Sequence, residues 1–262
     1  DRARDGKPFF LYFPLTSPHE PIAPSARFKG KSGISELADF FMETDWVVGE
    51  VLNALEKHKL AANTLVIFAC DNGHAKYTGL PALEKAGHSV SGPLRGYKAD
   101  IYEGGHRVPF IVRWPGVVKA GTTCDETVCH TDLLATTVAI LGGKLPDGAG
   151  EDSASLLSLL KGEKPGAASR EAVVHQASDG TLAIRRGKWK LIFAGPPDAP
   201  ADELYDLAAD LGETKNVAAL HPEVAKELTK LMERYIADGR STPGAKQPND
   251  GKTPLRIMQP KK

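Results

Sequence analysis

Apolar and polar positions change texture twice along this chain, and each texture predicts a different kind of element. Leu65, Val66, Ile67 and Phe68 form a continuous apolar run, which predicts a strand buried on both faces of an α/β sheet. Pro8 to Pro14, Pro-Phe-Phe-Leu-Tyr-Phe-Pro, predicts another short buried strand, and the polar, proline-rich stretch from Leu15 to Gly33 predicts a loop. Val108 to Trp114 predicts a further strand. Leu37, Phe40, Phe41, Val47, Val48, Val51, Leu52 and Leu55 recur at three- and four-residue spacing and predict a helix. Ser35 suits its start, and Lys57, His58 and Lys59 suit the negative end of its dipole. Leading into the strand at Leu65, this helix makes a β-loop-α-β unit, with a right-handed crossover if the strands are parallel neighbours.

Residues 71–105 are rich in glycine, histidine and lysine and carry no strong period; a loop of that length in a compact domain is usually functional or disordered. Asp132 to Leu141 predicts a helix and Ser155 to Leu160 a helical turn. After the Gly/Lys/Pro-rich connection at Lys161 to Ala168 the pattern shortens. Val173 to Gln176, Leu182 to Arg186 and Trp189 to Phe193 predict an antiparallel meander, divided at Asp179-Gly180 and Arg186-Gly187-Lys188. Glu203-Leu-Tyr-Asp-Leu is expected to cover a sheet edge with Leu204 and Leu207 inward. Pro222 opens a last amphipathic helix with Val224, Leu228, Leu231, Met232 and Tyr235 as its buried stripe. Beyond Asp238 there is no pattern, which suits a draped or disordered tail. The expected division is a main α/β part over 1–168, a small antiparallel-sheet-plus-helix subdomain over 169–240 and an irregular tail over 241–262.

Composition narrows the class. The chain has 262 residues, 41% of them hydrophobic, enough to bury a full core, and its 33 basic side chains balance 33 acidic ones. That balance leaves no net field drawing nucleic acid or an anionic membrane. No apolar stretch reaches the ~20 residues needed to span a bilayer, and Asp1 to Lys7 are charged rather than signal-like. Of the three cysteines, Cys70 ends a predicted strand, while Cys124 and Cys129 could pair or remain free thiols.

The chemistry is concentrated where the Leu65 strand ends. Asp71 and Asn72 lie at its carboxyl end, the place where open α/β sheets bind ligands. Two adjacent oxygen donors there make a cradle for a hard divalent cation; an Asp-Asn turn closing the strand is the plainer alternative.

Seven segments occur in order: Pro8-Phe-Phe-Leu-Tyr, Ser17-Pro-His-Glu-Pro, Leu65-Val-Ile-Phe-Ala-Cys-Asp-Asn-Gly, Pro93-Leu-Arg-Gly-Tyr-Lys-Ala-Asp-Ile-Tyr-Glu-Gly-Gly-His-Arg-Val-Pro, Trp114-Pro-Gly, Arg186-Gly-Lys-Trp-Lys-Leu and Glu203-Leu-Tyr-Asp-Leu. Together they resemble the C-terminal half of a type I, formylglycine-dependent sulfatase on the alkaline-phosphatase-like fold, with a mixed sheet flanked by helices. The glycine-rich block from Leu94 to Pro109 is the most specific piece.

That resemblance implies roles residue by residue. Asp71 and Asn72 match the pair that helps bind the family's active-site Ca²⁺. Lys98 matches a lysine on the substrate sulfate, and His19 matches a histidine at the sulfate site that can protonate the departing alcohol. His175, near the active-site rim in the resembling family, counts with His19 and Lys98 as a substrate-binding candidate, with an edge or core histidine as the plainer reading. His74 and His88 either line the substrate mouth or are solvated, and Arg95 is expected to organise the loop through carbonyl or carboxylate bonds. Gly104 and Gly105 are expected to supply backbone conformations closed to other residues. The implied substrate is a sulfated small molecule or glycan, and the implied compartment is periplasmic, secreted or lysosome-like.

Sulfate ester cleavage builds negative charge on the leaving oxygen, so cations and donors aimed there lower the barrier. In the resembling family a hydrated aldehyde, formylglycine, attacks sulfur and divides the displacement into two steps. Its motif, Cys or Ser followed by x-Pro-x-Arg, belongs upstream of the Pro8 strand, together with the other metal carboxylates. Ser91-Gly-Pro-Leu-Arg95 has the spacing but lies inside the lysine-bearing block and is read as a decoy. The expectation is a C-terminal portion of a longer sulfatase that neither turns over sulfate esters nor holds calcium by itself. Two other classes stay open: a phosphatase or phosphodiesterase of the same superfamily, and a non-catalytic binding module on this scaffold.

Overall fold

A computed structural model describes residues 6–164 and 170–256, and the chain divides into two compact units. One comprises Asp1–Ala61 with Lys76–Val90, the other Ala62–Ala75 with Ser91–Lys262. The boundary expected at 168/169 lies outside the described residues.

In the first unit the predicted helix forms as α1, Glu36–Lys57. Ser35 takes the cap in extended backbone, its hydroxyl accepting from the Ala38 amide at 3.2 Å, which satisfies one of the amides a helix start leaves unpaired. One turn in, Asp39 is buried. Its carboxylate accepts from the Gly30 amide at 2.6 Å and the Ser32 amide at 2.7 Å, so the loop ahead of the helix is folded back onto it. Those backbone donors, Ser32 foremost, pull the Asp39 carboxyl below its usual range. A short helix α2, Leu80–Lys85, interrupts the stretch read as one long loop and buries Leu80 and Leu83. Gly79 precedes it at φ 62°, where a Cβ would press on the Leu37 side chain.

Residues 8–14 correct the sequence expectation. No strand forms there, and Phe10 and Tyr12 are 82% and 79% exposed. A strand is held by a ladder to a neighbour, and among the described residues none pairs with this segment.

In the second unit β1, Val66–Ala69, and β2, Phe110–Arg113, stand where the apolar runs predict strands. Their pairing is antiparallel, Val66 opposite Arg113 and Ala69 opposite Phe110; the crossover expected from residues 8–14 through α1 to β1 does not form, because 8–14 is not a strand. Neither is buried on both faces. β1 is half-buried, and Ile111 in β2 is 61% exposed. Between them lies α3, Glu103–His106, a single turn; α4, Asp132–Ile140, and α5, Leu157–Leu160, follow.

The small subdomain forms as its alternation predicts. β3 (Val173–Gln176), β4 (Leu182–Arg186), β5 (Trp189–Ile192) and β6 (Glu203–Asp206) make an antiparallel meander in sequence order. Helix α6, Pro222–Asp238, packs Leu228, Leu231, Met232 and Tyr235 against Leu182, Ile184, Leu191, Phe193 and Leu204. Burying each such side chain contributes about 1.5–3 kcal/mol. The opposite face carries Ala183, Ile192 and Tyr205, with Leu207 beside them, and packs on Ile101. Past α6 the chain has no helix or strand among the described residues, but it is draped rather than loose. Arg240 is buried and donates to the carbonyls of Asp147, Thr242, Pro243 and Ala245.

Candidate active site

The end of β1 delivers Asp71 and Asn72 into a turn. Asp71 is exposed, Asn72 is half-buried, and the Asn72 amide donates to the Gly73 carbonyl at 3.0 Å. A carboxylate and an amide oxygen are suitable donors for a hard cation, but Ca²⁺ takes 6–8 oxygens. Among the described residues no group of three or more His, Cys, Asp or Glu is placed to complete such a site.

Backbone bonds tie this turn to the glycine block. Lys98 donates its amide to the His74 carbonyl at 2.8 Å, and Gly73 donates to Gly105 at 3.0 Å. The glycines are required by contact. A Cβ on Gly73 would overlap the Gly104 carbonyl, one on Gly104 would overlap the carbonyls of Gly96 and Arg95, and one on Gly105 would overlap that of Asp100. Gly104 and Gly105 themselves do not adopt positive φ, so closeness of backbones, rather than dihedral freedom, is what excludes side chains there. Lys98 is half-buried on this loop.

Asp71, Asn72, Lys98 and His175 all belong to the second unit; His19 belongs to the first. His19 is exposed, with Nδ1 2.8 Å from the Glu20 carbonyl and its amide donating to Thr16. His175, on β3, stacks on His106 with ring centroids 3.7 Å apart. Burial pushes His175 well below its ordinary range, and the neighbouring His106 and Lys190 add to that. The predicted organising role of Arg95 matches its contacts: it donates to the Glu213 carbonyl at 2.8 Å and the Tyr205 hydroxyl at 3.3 Å, and stacks 3.6 Å over the Tyr102 ring.

Sequence reasoning missed the charged knot behind the loop. Lys190, Glu103 and Glu213 are fully buried. Lys190 Nζ lies 3.1 Å from Glu103 Oε1 and 2.8 Å from Glu213 Oε1, and Glu213 Oε2 accepts from the Glu103 amide at 2.7 Å. Arg185 adds a 3.0 Å pair to Glu103. Burial raises both carboxyl groups. At Glu103 the opposing pull of Lys190 and Arg185 wins and the carboxyl falls below its usual range. At Glu213 burial outweighs Lys190 and the Glu103 amide, and the carboxyl stays above. The available signal was parity: in the β5 alternation Lys190 occupies the same face as Ile192.

The sulfatase family profile matches residues 2–143, more than half the chain. The chain belongs to the sulfatase family. Residues 97–240 also match a profile described as the C-terminal part of N-sulphoglucosamine sulphohydrolase. This sulfatase chain is 41% identical over 244 residues to an N-acetylgalactosamine-6-O-sulfatase of Bacteroides thetaiotaomicron, covering 87% of itself and 47% of that protein. Against human arylsulfatase A the identity is 33% over 260 residues, covering 88% and 49%. Among solved structures, one from Bacteroides thetaiotaomicron concerned with metabolism of multiple glycosaminoglycans superposes at TM-score 0.79 and 38% identity, over 89% of this chain and 51% of that one. A Pseudoalteromonas sp. sulfatase superposes at TM-score 0.74 and 25% identity, over 90% and 49%. The fold is therefore the alkaline-phosphatase-like fold of sulfatases, and the chain spans about half the length of the relatives it matches.

Proposed function

We propose that this chain is the C-terminal portion of an enzyme that hydrolyses sulfate monoesters, and that it supplies one wall of the sulfate pocket. The observation that carries this is the pair of backbone bonds, Lys98 to His74 and Gly73 to Gly105, which hold a cationic side chain and an Asp-Asn turn on one backbone frame. Lys98 binds the sulfate oxygens and offsets their charge; His19 gives a proton to the departing alcohol. Asp71 and Asn72 hold part of a calcium site whose remaining ligands come from other sequence. Bound calcium supplies further stabilisation of charge on the sulfate oxygens. His175, stacked on His106, is assigned to the substrate-binding rim of the site.

The attacking group, formylglycine, is assigned to sequence upstream of residue 8. The exposed Phe9, Phe10, Leu11, Tyr12 and Phe13 support this, since five successive apolar side chains 49–82% exposed form the kind of surface that further chain or a partner covers. The organisation over 1–168, 169–240 and 241–262 is kept as part of the proposal. A sulfated glycan is the favoured substrate, because the 41% identical relative is an N-acetylgalactosamine-6-O-sulfatase. Among the described residues no helix is long and apolar enough to cross a membrane; an exported or lysosome-like location is proposed from the family alone. Reading the codons that precede Asp1 tests the assignment. A Cys or Ser followed by x-Pro-x-Arg is expected there, and an upstream frame without it would overturn the proposal.

A further inference from the structure

We propose that the small antiparallel sheet is the positioning element for Lys98, acting through Lys190 and Arg95 as two clamps on the ends of segment 95–106. The inference rests on the reading of Lys98 as the sulfate contact, and it gives the C-terminal subdomain a role that its distance in sequence from the site conceals.

The pattern of partners carries it. Glu103 opens α3, directly after the Lys98 loop, and its carboxylate meets Lys190 on β5 and Arg185 on β4. Glu213, beyond β6, closes the knot from the other side by pairing with Lys190 and receiving the Glu103 amide. These contacts link the loop to the sheet rather than one strand to the next. At the loop's start Arg95 does the same, gripping the Glu213 carbonyl and the Tyr205 hydroxyl. Tyr102 adds a third tie, its hydroxyl donating to Glu203 at 3.1 Å.

A core that needed only to be dry would hold apolar side chains here, because buried ion pairs are costly to desolvate and often contribute no net stability. Their attested use is to select one arrangement among several. In this place the arrangement selected is that of a loop whose backbone approaches are so close that Gly73, Gly104 and Gly105 tolerate no Cβ. With both ends fixed, Gly104 can donate to Arg95 at 2.7 Å and Lys98 to His74 at 2.8 Å, which sets where the Lys98 side chain starts.

The test uses the 262-residue chain, with amide exchange and side-chain signals followed by NMR. Arg95→Ala removes one clamp from a surface position; Lys190→Met and Arg185→Gln combined with Glu103→Gln and Glu213→Gln remove the other without stranding a buried charge. Each variant is expected to speed exchange at the Lys98 and Gly104 amides by at least tenfold and to leave Leu228 and Leu231 in α6 within twofold. Sodium sulfate titration, read at the Lys98 ammonium, is expected to need at least fivefold more sulfate in each variant, with Arg95→Lys recovering part of the loss. Unchanged exchange at Lys98 and Gly104, or equal acceleration across α6, would overturn the proposal. If the clamps respond as expected but sulfate leaves the wild-type Lys98 signal unmoved, it is the assignment of Lys98 to sulfate that fails.

Discussion

His106 and His175 stack with their ring centroids 3.7 Å apart and an interplanar angle of 19°, on the side of the small sheet that faces the Lys98 loop. His106 Nε2 lies 3.2 Å from Lys190 Nζ and 3.1 Å from the Ile101 carbonyl. A bare Nε2 accepts from the Lys190 ammonium and an Nε2–H donates to the Ile101 carbonyl, so the two contacts call for different tautomers of the neutral ring, and neither is improved by a second proton beside the lysine. Burial, then Lys190, holds His106 down to about 4.

Stability is therefore expected to depend on pH in a defined direction. The unfolded imidazole takes a proton near 6.5, whereas folded His106 refuses it until about 4. The His106 contribution is whole above pH 6.5 and is lost as pH falls through 4, amounting to about 3 kcal/mol across that window. His175 acts in the same direction. Glu103, Lys190 and Arg185 surround His106 and its partner. Urea denaturation at pH 7.5 and 4.5 should show the decline, and a His106→Gln/His175→Gln chain should show a flatter profile; equal slopes would count against the stacked, neutral pair.

Gly104→Ala places a methyl group against the Gly96 and Arg95 carbonyls. Backbone atoms cannot swing aside as a side chain can, so a loss of about 3 kcal/mol is expected. Gly49→Ala, on α1 with open space around its Cβ, is the control and should gain up to about 1 kcal/mol through helix propensity. Thermal melts of the two variants give the comparison.

Ser35→Ala removes the hydroxyl that accepts from Ala38 and is expected to cost about 1 kcal/mol. Asp39→Ala should cost more, since it leaves the Gly30 and Ser32 amides without their carboxylate. Urea midpoints of both variants decide the order; a smaller loss at Asp39 would mean that water replaces the carboxylate.

Substitutions in the exposed apolar segment are expected to have the opposite character. Phe10→Ser with Tyr12→Ser should change the urea midpoint by no more than about 0.5 kcal/mol, because surface changes away from packed features rarely do more. Solubility should rise as the patch shrinks. A large destabilisation would show that these rings are packed after all.

Local periods carried much of the fold. The alternation at Val173–Gln176, Leu182–Arg186 and Trp189–Ile192 matches the strands residue for residue or within one position, and the three- and four-residue spacing from Leu37 to Leu55 matches α1. Pairing was not legible. A continuous apolar run says that a strand wants cover, but its neighbour and direction depend on contacts far along the chain, and so β1 pairs antiparallel with β2 and residues 8–14 pair with nothing described. At the site, Asp71, Asn72 and Lys98 were marked by motif, and the turn that joins them was not, because it is made of backbone. Lys190 and Glu213 escaped notice for another reason. Charged residues are read as solvated by default, and only their three-dimensional convergence removes them from water.

The most direct measurement is aryl sulfate turnover by the purified 262-residue chain with calcium present, alongside the same chain extended in frame by its own upstream coding sequence. The account predicts no turnover by the chain alone and turnover by the extended protein that falls at least 100-fold, about 2.7 kcal/mol, on Lys98→Ala. Hydrolysis by the chain alone, or an extended protein indifferent to Lys98→Ala, would contradict it.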